Sequence, residues 1–447
     1  MKRLTALLLT GAAPLIVLAA CSRSAEPPTQ FGFNPKLPEP RQFLLPPMGI
    51  ANPVGWDKTG AGAVPTVPPG FVVQAFAKGL NSPRNVLPLP NGDIIVATAG
   101  GPDMEPNLRP KSFIFQWLMN TSHGGEKGAN SGENALLLLR DTNHDGLADQ
   151  TITLAKDLPS PFGLAWGNGT LYVGMTDSVW RYPLAAGQAA LGPGSLVTEL
   201  PGGPIDHHWT KSITLSPDGT KLYAGVGSNS NIVENGLEAE HGRAMIWEVD
   251  PATGARRPFA TGLRNPNGLT FYPGSNTLYA VVNERDELGN NLVPDYMTSV
   301  RPGAFYGWPW SWYGQHVDVR VQPQRPDMVA KAVIPDYSLS GHVAALGLAF
   351  LKGGDFPAHY QGGAFIGEHG SWDRNVLNGY QVAFVPFVNG RPSGTPETFL
   401  GGFTTGKGHD VHGRPVGLAF GPDGALYVAD DAGKTIWRIS WRGNGGT

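Results

Sequence analysis

The stretch "ITLSPDGTKLYAGVGS", residues 213–228, reads as two short apolar strands joined by an Asp-Gly turn. Asp-Gly supplies the positive φ angles that a tight hairpin needs, and the flanking Leu, Tyr and Val favour strands. The same sentence recurs as "VLPLPNGDIIVATAG" (86–100), "LAWGNGTLYVGMTD" (164–177), "LTFYPGSNTLYAVVNE" (269–284), "LAFLKGGDFPAHYQGGAFIGE" (348–368) and "LAFGPDGALYVADD" (418–431). Further strands such as "SVWRYPL" and "TIWRISW" follow in several copies. Six four-stranded units of irregular length point to an all-β, six-bladed β-propeller. The variable spacing disfavours a solenoid, and six near-identical hairpins disfavour a sandwich.

Composition agrees. The 447-residue chain is 41% hydrophobic, enough for a large core, while 61 Gly and 41 Pro punctuate it too often for long helices. The start, "MKRLTALLLTGAAPLIVLAAC", is basic, then apolar over a run too short for a comfortable membrane span. Residues 1–20 read as a secretory signal. "LAAC" (18–21) resembles a bacterial lipobox, which implies cleavage before Cys21 and a lipid on its sulfur. Cys21 is the only cysteine, so no internal disulfide is possible. The expected location is the periplasmic face of a bacterial membrane, by resemblance the outer one. Residues 21–66, dense in Pro and Gly, read as a tether leading into an irregular wrap on the domain, and residues 67–442 as the propeller. The formal charge of −3, more negative once Lys2 and Arg3 leave with the signal, gives no reason to expect a nucleic-acid partner.

If the blades are equivalent, the residues just ahead of each first strand gather at one end of the central channel. That slot holds Arg84, His208, Arg264, His342 and Arg414 in five of the six copies. Several buried arginines without an anion would be costly, and the planar guanidinium suits carboxylates. The slot is therefore expected to hold a flat polycarboxylate; the alternative is pairing with local acids such as Asp206, Asp286 or Asp410.

In order, "HHWTKSITLSPDGTKLYAGVGS", "GLRNPNGLTF", "NERDELGNNLVPDYM", "GAFYGWPW", "GEHGSWDRN" and "GRPVGLAFGPDGALYVADD" resemble the soluble glucose/sorbosone dehydrogenase family, quinoproteins that bind pyrroloquinoline quinone (PQQ) on a six-bladed propeller. The resemblance covers about residues 67–440. It implies PQQ-dependent oxidation of a sugar or sugar-derived aldehyde of sorbosone or aldose type, with electrons passed to a separate acceptor. It places the general base on His208 rather than His207, a residue type whose unperturbed pKa of about 6.5 suits proton acceptance at neutral pH. Arg264 and Asn265 match the pair that contacts the quinone oxygens. Arg414, Arg84 and His369 match positions that hold PQQ carboxylates or rings, and Trp308 offers an aromatic face. The resemblance also implies a calcium ion on backbone carbonyls near Arg285 and Asp286. One departure stands out: where glucose dehydrogenases back the base with an Asp, this chain has Ser228, and a hydroxyl cannot stabilise an imidazolium as a carboxylate does.

Two features lie outside that resemblance. "DTNHDGLAD" (141–149) spaces Asp141, Asn143, Asp145 and Asp149 like the first part of a calcium loop, but Ile152 occupies the place of the bidentate acid; the other reading is an Asx-rich turn. The insertion at 101–134 reads either as a lid or acceptor-docking surface, or as a structural flap. Two other functions remain in view, a lactonase-like metal propeller and a non-catalytic binding propeller. Arg and His in the slot argue against the metal.

Overall fold

The computed structural model describes residues 31–41, 49–57, 63–102, 133–203 and 208–443. Cys21, His207, Asp206 and most of the 101–134 insertion lie outside these residues. Six antiparallel four-stranded sheets follow one another around a ring. The innermost strands, Pro83–Pro88, Gly163–Gly167, Ile213–Leu215, Asn265–Phe271, Ala345–Phe350 and Pro415–Phe420, surround the axis. Each pairs with the second strand of the hairpin read from the sequence, as in Leu215 opposite Leu222 and Phe420 opposite Leu426.

Strands in the middle of a blade are covered on both faces, so they do not alternate apolar with polar. Ile94, Ile95, Val96 and Ala97 are all fully buried. Six apolar clusters fill the six gaps between blades, for example Val86, Ile94, Tyr427 and Ile436 between the sixth and first. Burial of this kind, at about 25 cal/mol per Å² of apolar surface, supplies the main driving force for closure.

The ring is closed by Phe71–Lys78, which pairs antiparallel with Thr435–Trp441 and makes the outer strand of the sixth blade. Upstream, the chain wraps the ring: Gly32 bridges to Ser338, and Asn52–Pro53 pairs parallel with Asp410–Val411. Trp56 pins this wrap by donating its indole N–H to buried Asp430 at 2.7 Å. In the fourth blade the 305–314 aromatic run packs as core, with Tyr306, Trp312 and Tyr313 in the cluster between the third and fourth blades. Among the described residues no helix is long and apolar enough to cross a membrane.

Candidate active site

Three of the five slot residues converge. His208, Arg264 and His342 line one cavity of about 200 Å³, together with Asn265, Asp286, Asp295 and Trp372. Close packing fixes the approach of these groups. A Cβ on Gly227 would overlap the His208 Cβ and the Asn265 Oδ1, so only glycine lets the strand end pass between them.

The orientation of His208 follows from its acceptors. Its Nδ1 lies 2.9 Å from the Ser228 carbonyl and 3.0 Å from the Ser228 hydroxyl. A carbonyl only accepts, and the hydroxyl spends its proton on the Ser230 carbonyl at 2.6 Å. Nδ1 must therefore carry the hydrogen, which places the lone pair of the neutral ring on Nε2. The departure noted in the sequence is thus met by a main-chain oxygen.

Arg264 is 2% exposed and held from four sides. It donates to the Asn231 carbonyl (3.2 Å), the Asn231 Oδ1 (3.0 Å), the Glu284 carbonyl (2.7 Å) and the Asp286 carboxylate (3.2 Å). Beyond Asp286 stands His342, in the left-handed region at φ 60°. Its Nδ1 is 3.4 Å from Asp286, and its Nε2 is 3.0 Å from the Gly289 carbonyl and 3.9 Å from Asp373. Burial alone would lower its pKa, but the carboxylates of Asp286, Asp373 and Asp295 outweigh burial and raise it to about 9. Burial pushes Asp295 up to about 7, although it accepts the Glu284 and Ala344 N–H groups.

A second cluster joins Arg84, His369 and Arg414 around Asp431. Arg84 donates to Asp431 at 2.6 Å, His369 Nε2 to the same oxygen at 2.9 Å, and Arg414 to the His369 carbonyl at 3.1 Å. Burial opposes ionisation of Asp431, yet His369, Arg84 and Arg414 together hold its pKa well below the usual carboxylate range. His369, buried and beside Arg414, is pushed down to about 4. The Arg84 guanidinium also stands 5.6 Å over the ring of Trp209, next to His208.

For two of the slot arginines these contacts follow the alternative reading, pairing with acids of the protein. Arg264 pairs with Asp286 and Arg84 with Asp431, whereas Asp410 bonds to Asn52 instead. Nor do Arg and His keep metal-ligating groups out of the slot: ligand atoms of Asp286, His342 and Asp373 lie within 4.8 Å of one another. Trp308 does not line the cavity; it is buried and donates its indole N–H to the Asn231 carbonyl at 3.0 Å. Arg285 points away, fully buried against Glu284 and Asp318. In the 141–149 loop, Asp141, Asn143 and Asp145 accept the backbone N–H groups of residues 145–147, and Asp149 accepts from Thr142, as an Asx-rich turn does.

Asp286 was named from the sequence as a local acid, whereas Asn231, Asp295, Trp372, Asp373 and Asp431 were not singled out. Asp295, Trp372, Asp373 and Asp431 stand inside the quoted motifs "NERDELGNNLVPDYM", "GEHGSWDRN" and "GRPVGLAFGPDGALYVADD" and could have been found there; Asn231 lies outside them.

A family model described as TrAA12-like matches residues 134–302 and 321–442, more than half of the chain. A PQQ-dependent pyranose dehydrogenase of Coprinopsis cinerea is 28% identical over 301 residues, covering 52% of this chain and 39% of that protein. An aldose sugar dehydrogenase of Escherichia coli K12 is 29% identical over 216 residues, covering 48% of this chain and 47% of that one. The chain thus spans half or less of the length of these two relatives. Among solved structures, a Trichoderma reesei enzyme of carbohydrate-active family AA12 superposes with a TM-score of 0.68 at 19% identity, over 84% of this chain and 97% of that one. The holo PQQ domain of the Coprinopsis enzyme gives 0.65 at 20% identity over the same shares. The chain belongs to the TrAA12-like family and carries the six-bladed propeller of the PQQ-dependent sugar dehydrogenases.

Proposed function

We propose that this protein is a PQQ-dependent dehydrogenase that oxidises a sugar or sugar-derived aldehyde, of the aldose or sorbosone type, with His208 as the general base. The observation that carries this reading is the pairing in one cavity of an Nε2-basic imidazole with a buried guanidinium.

The residues present fit a polycarboxylate. Arg84 and Arg264 each pair with one carboxylate, Asp431 and Asp286, whereas Arg414 donates to the His369 and Gly370 carbonyls and adds positive charge that an anionic ligand would match. The buried Oδ1 atoms of Asn265, Asp373 and Asp431 accept no hydrogen bond among the described residues; as open acceptors they suit a donor hydroxyl or a cation rather than a carboxylate. For calcium, the oxygens on offer differ from the expected carbonyls. The Asp286 carbonyl already accepts Arg320 and Asn231, whereas the Asp286 and Asp373 carboxylates could serve as ligands.

When bound, the quinone supplies a two-electron hydride acceptor. The protein's part is orientation and charge. His208 Nε2 takes the proton of the substrate hydroxyl, while the Ser228 carbonyl keeps the imidazole aligned and stabilises its protonated form less than a carboxylate would. Arg264, desolvated and fixed, presents positive charge next to Asn265. Arg84, Arg414 and His369 would hold the cofactor's carboxylates. The reading extends to an exported lipoprotein tethered through Cys21 at the periplasmic face and passing electrons to a separate acceptor; the "LAAC" sequence supports this.

Titrating PQQ into the purified protein with and without calcium, then following dye reduction with aldoses and sorbosone, tests the reading. Saturable PQQ binding with sugar-dependent turnover is expected. Binding without turnover would favour a binding propeller, and no binding would end the proposal.

A further inference from the structure

Four consecutive residues, Ser228-Asn229-Ser230-Asn231, reach both halves of the candidate site. Ser228 accepts from His208 Nδ1, and its own N–H donates to the Arg264 carbonyl at 2.7 Å. Asn231 takes the guanidinium of Arg264 on its carbonyl and its side-chain oxygen. The same side-chain oxygen accepts the Asp286 N–H at 2.9 Å, and the same carbonyl accepts the Trp308 indole at 3.0 Å. One loop therefore sets the imidazole, the guanidinium, its counter-ion and the neighbouring indole.

This loop has no strand or helix to hold it, yet Ser228, Asn229 and Ser230 are at most 5% exposed. One acid braces its middle, at Asn229 and Ser230. Glu240, 8% exposed, accepts the Asn229 N–H at 2.7 Å on one oxygen and the Ser230 hydroxyl at 2.6 Å on the other. The Ser230 Oγ then accepts the Val233 N–H at 2.9 Å, and the Ser230 carbonyl accepts the Ser228 hydroxyl. Burial pushes the Glu240 pKa up despite these donors, so the carboxylate is kept there at a cost.

We infer that Glu240 is a positioning residue: through Asn229 and Ser230 it fixes the loop that gives His208 its tautomer and Arg264 its direction. It thereby takes over, two residues removed, the orienting part of the service that an acid directly behind the imidazole would perform. The inference rests on His208 being the base, but its structural half is measurable without turnover.

Histidine side-chain ¹⁵N–¹H correlation spectra of the protein without cofactor, with His208 assigned by His208→Gln, read the tautomer directly. The wild type is expected to show Nδ1–H alone. Glu240→Ala and Ser230→Ala are each expected to bring up an Nε2–H population. In PQQ-loaded protein they should lower kcat by about 10- to 100-fold, with KM changed less than about threefold. Glu240→Gln keeps an acceptor for Asn229 and should recover part of the loss. Should Glu240→Ala fail to fold, Ser230→Ala and Glu240→Gln carry the test. A pure Nδ1–H signal and wild-type kcat in the variants that fold overturn the inference. A tautomer change in a protein whose wild type never turns over upholds the loop assignment and counts against the proposed activity.

Discussion

The His208 imidazole hydrogen-bonds through Nδ1 to the main-chain carbonyl of Ser228 at 2.9 Å, so its orientation survives without the carboxylate that glucose dehydrogenases place there. A main-chain acceptor cannot be removed by changing the side chain.

Ser228→Ala should therefore be mild. Losing the hydroxyl contact, worth about 1 kcal/mol, predicts a drop in kcat of less than about tenfold. Steady-state kinetics of the PQQ-loaded protein check this; a fall beyond about 100-fold would mean that the hydroxyl, not the carbonyl, orients the ring.

Arg264→Lys should be severe. A lysine ammonium cannot reach the Asn231 carbonyl, Asn231 Oδ1, Glu284 carbonyl and Asp286 carboxylate together, as the guanidinium does. A loss of about 100-fold or more in kcat/KM is expected, and near-normal kinetics would show that positive charge alone suffices.

Gly227→Ala tests the packing of the two halves. Its new Cβ must displace His208 or Asn265. Turnover should fall by about 100-fold with the far-ultraviolet circular dichroism unchanged, since the second strand of the third blade ends just before it at Val226. Full activity would mean that His208 can shift without consequence.

Glu368→Gln addresses pH and stability. Burial pushes the Glu368 pKa up to about 8, with Gln381 its one side-chain donor among the described residues. The folded state then binds this proton more tightly than the unfolded state, so stability falls as pH rises from about 4.5 through about 8. The variant should flatten that slope, raising the thermal midpoint near pH 8 and leaving it unchanged near pH 4. An unaltered slope would place the pH dependence on other groups.

What was legible in the sequence follows from the range of the interactions. Asp218-Gly219 and Asp423-Gly424 encode their hairpins within a few residues, and six such hairpins define the ring. The repeat register also put His208 and Arg264 in the same slot, and they share the cavity. By contrast, the closing strand Phe71–Lys78 finds its partner across most of the chain and leaves no local sign. The counter-ions behaved likewise: Arg84 and Asp431 are 347 residues apart, so no spacing reveals the pair. Trp308 read as a stacking surface because an aromatic run looks the same whether it faces a cavity or supports a loop. The calcium spacing at 141–149 was ambiguous for a similar reason, since Asx side chains that bind a cation also accept backbone N–H groups.

The central claim meets its most direct test in His208→Gln compared with the wild type, both loaded with PQQ and calcium and assayed by dye reduction with an aldose panel. The account predicts that the variant binds PQQ as the wild type does and loses about 100-fold or more in kcat. Retained turnover in a variant that binds PQQ normally would contradict it.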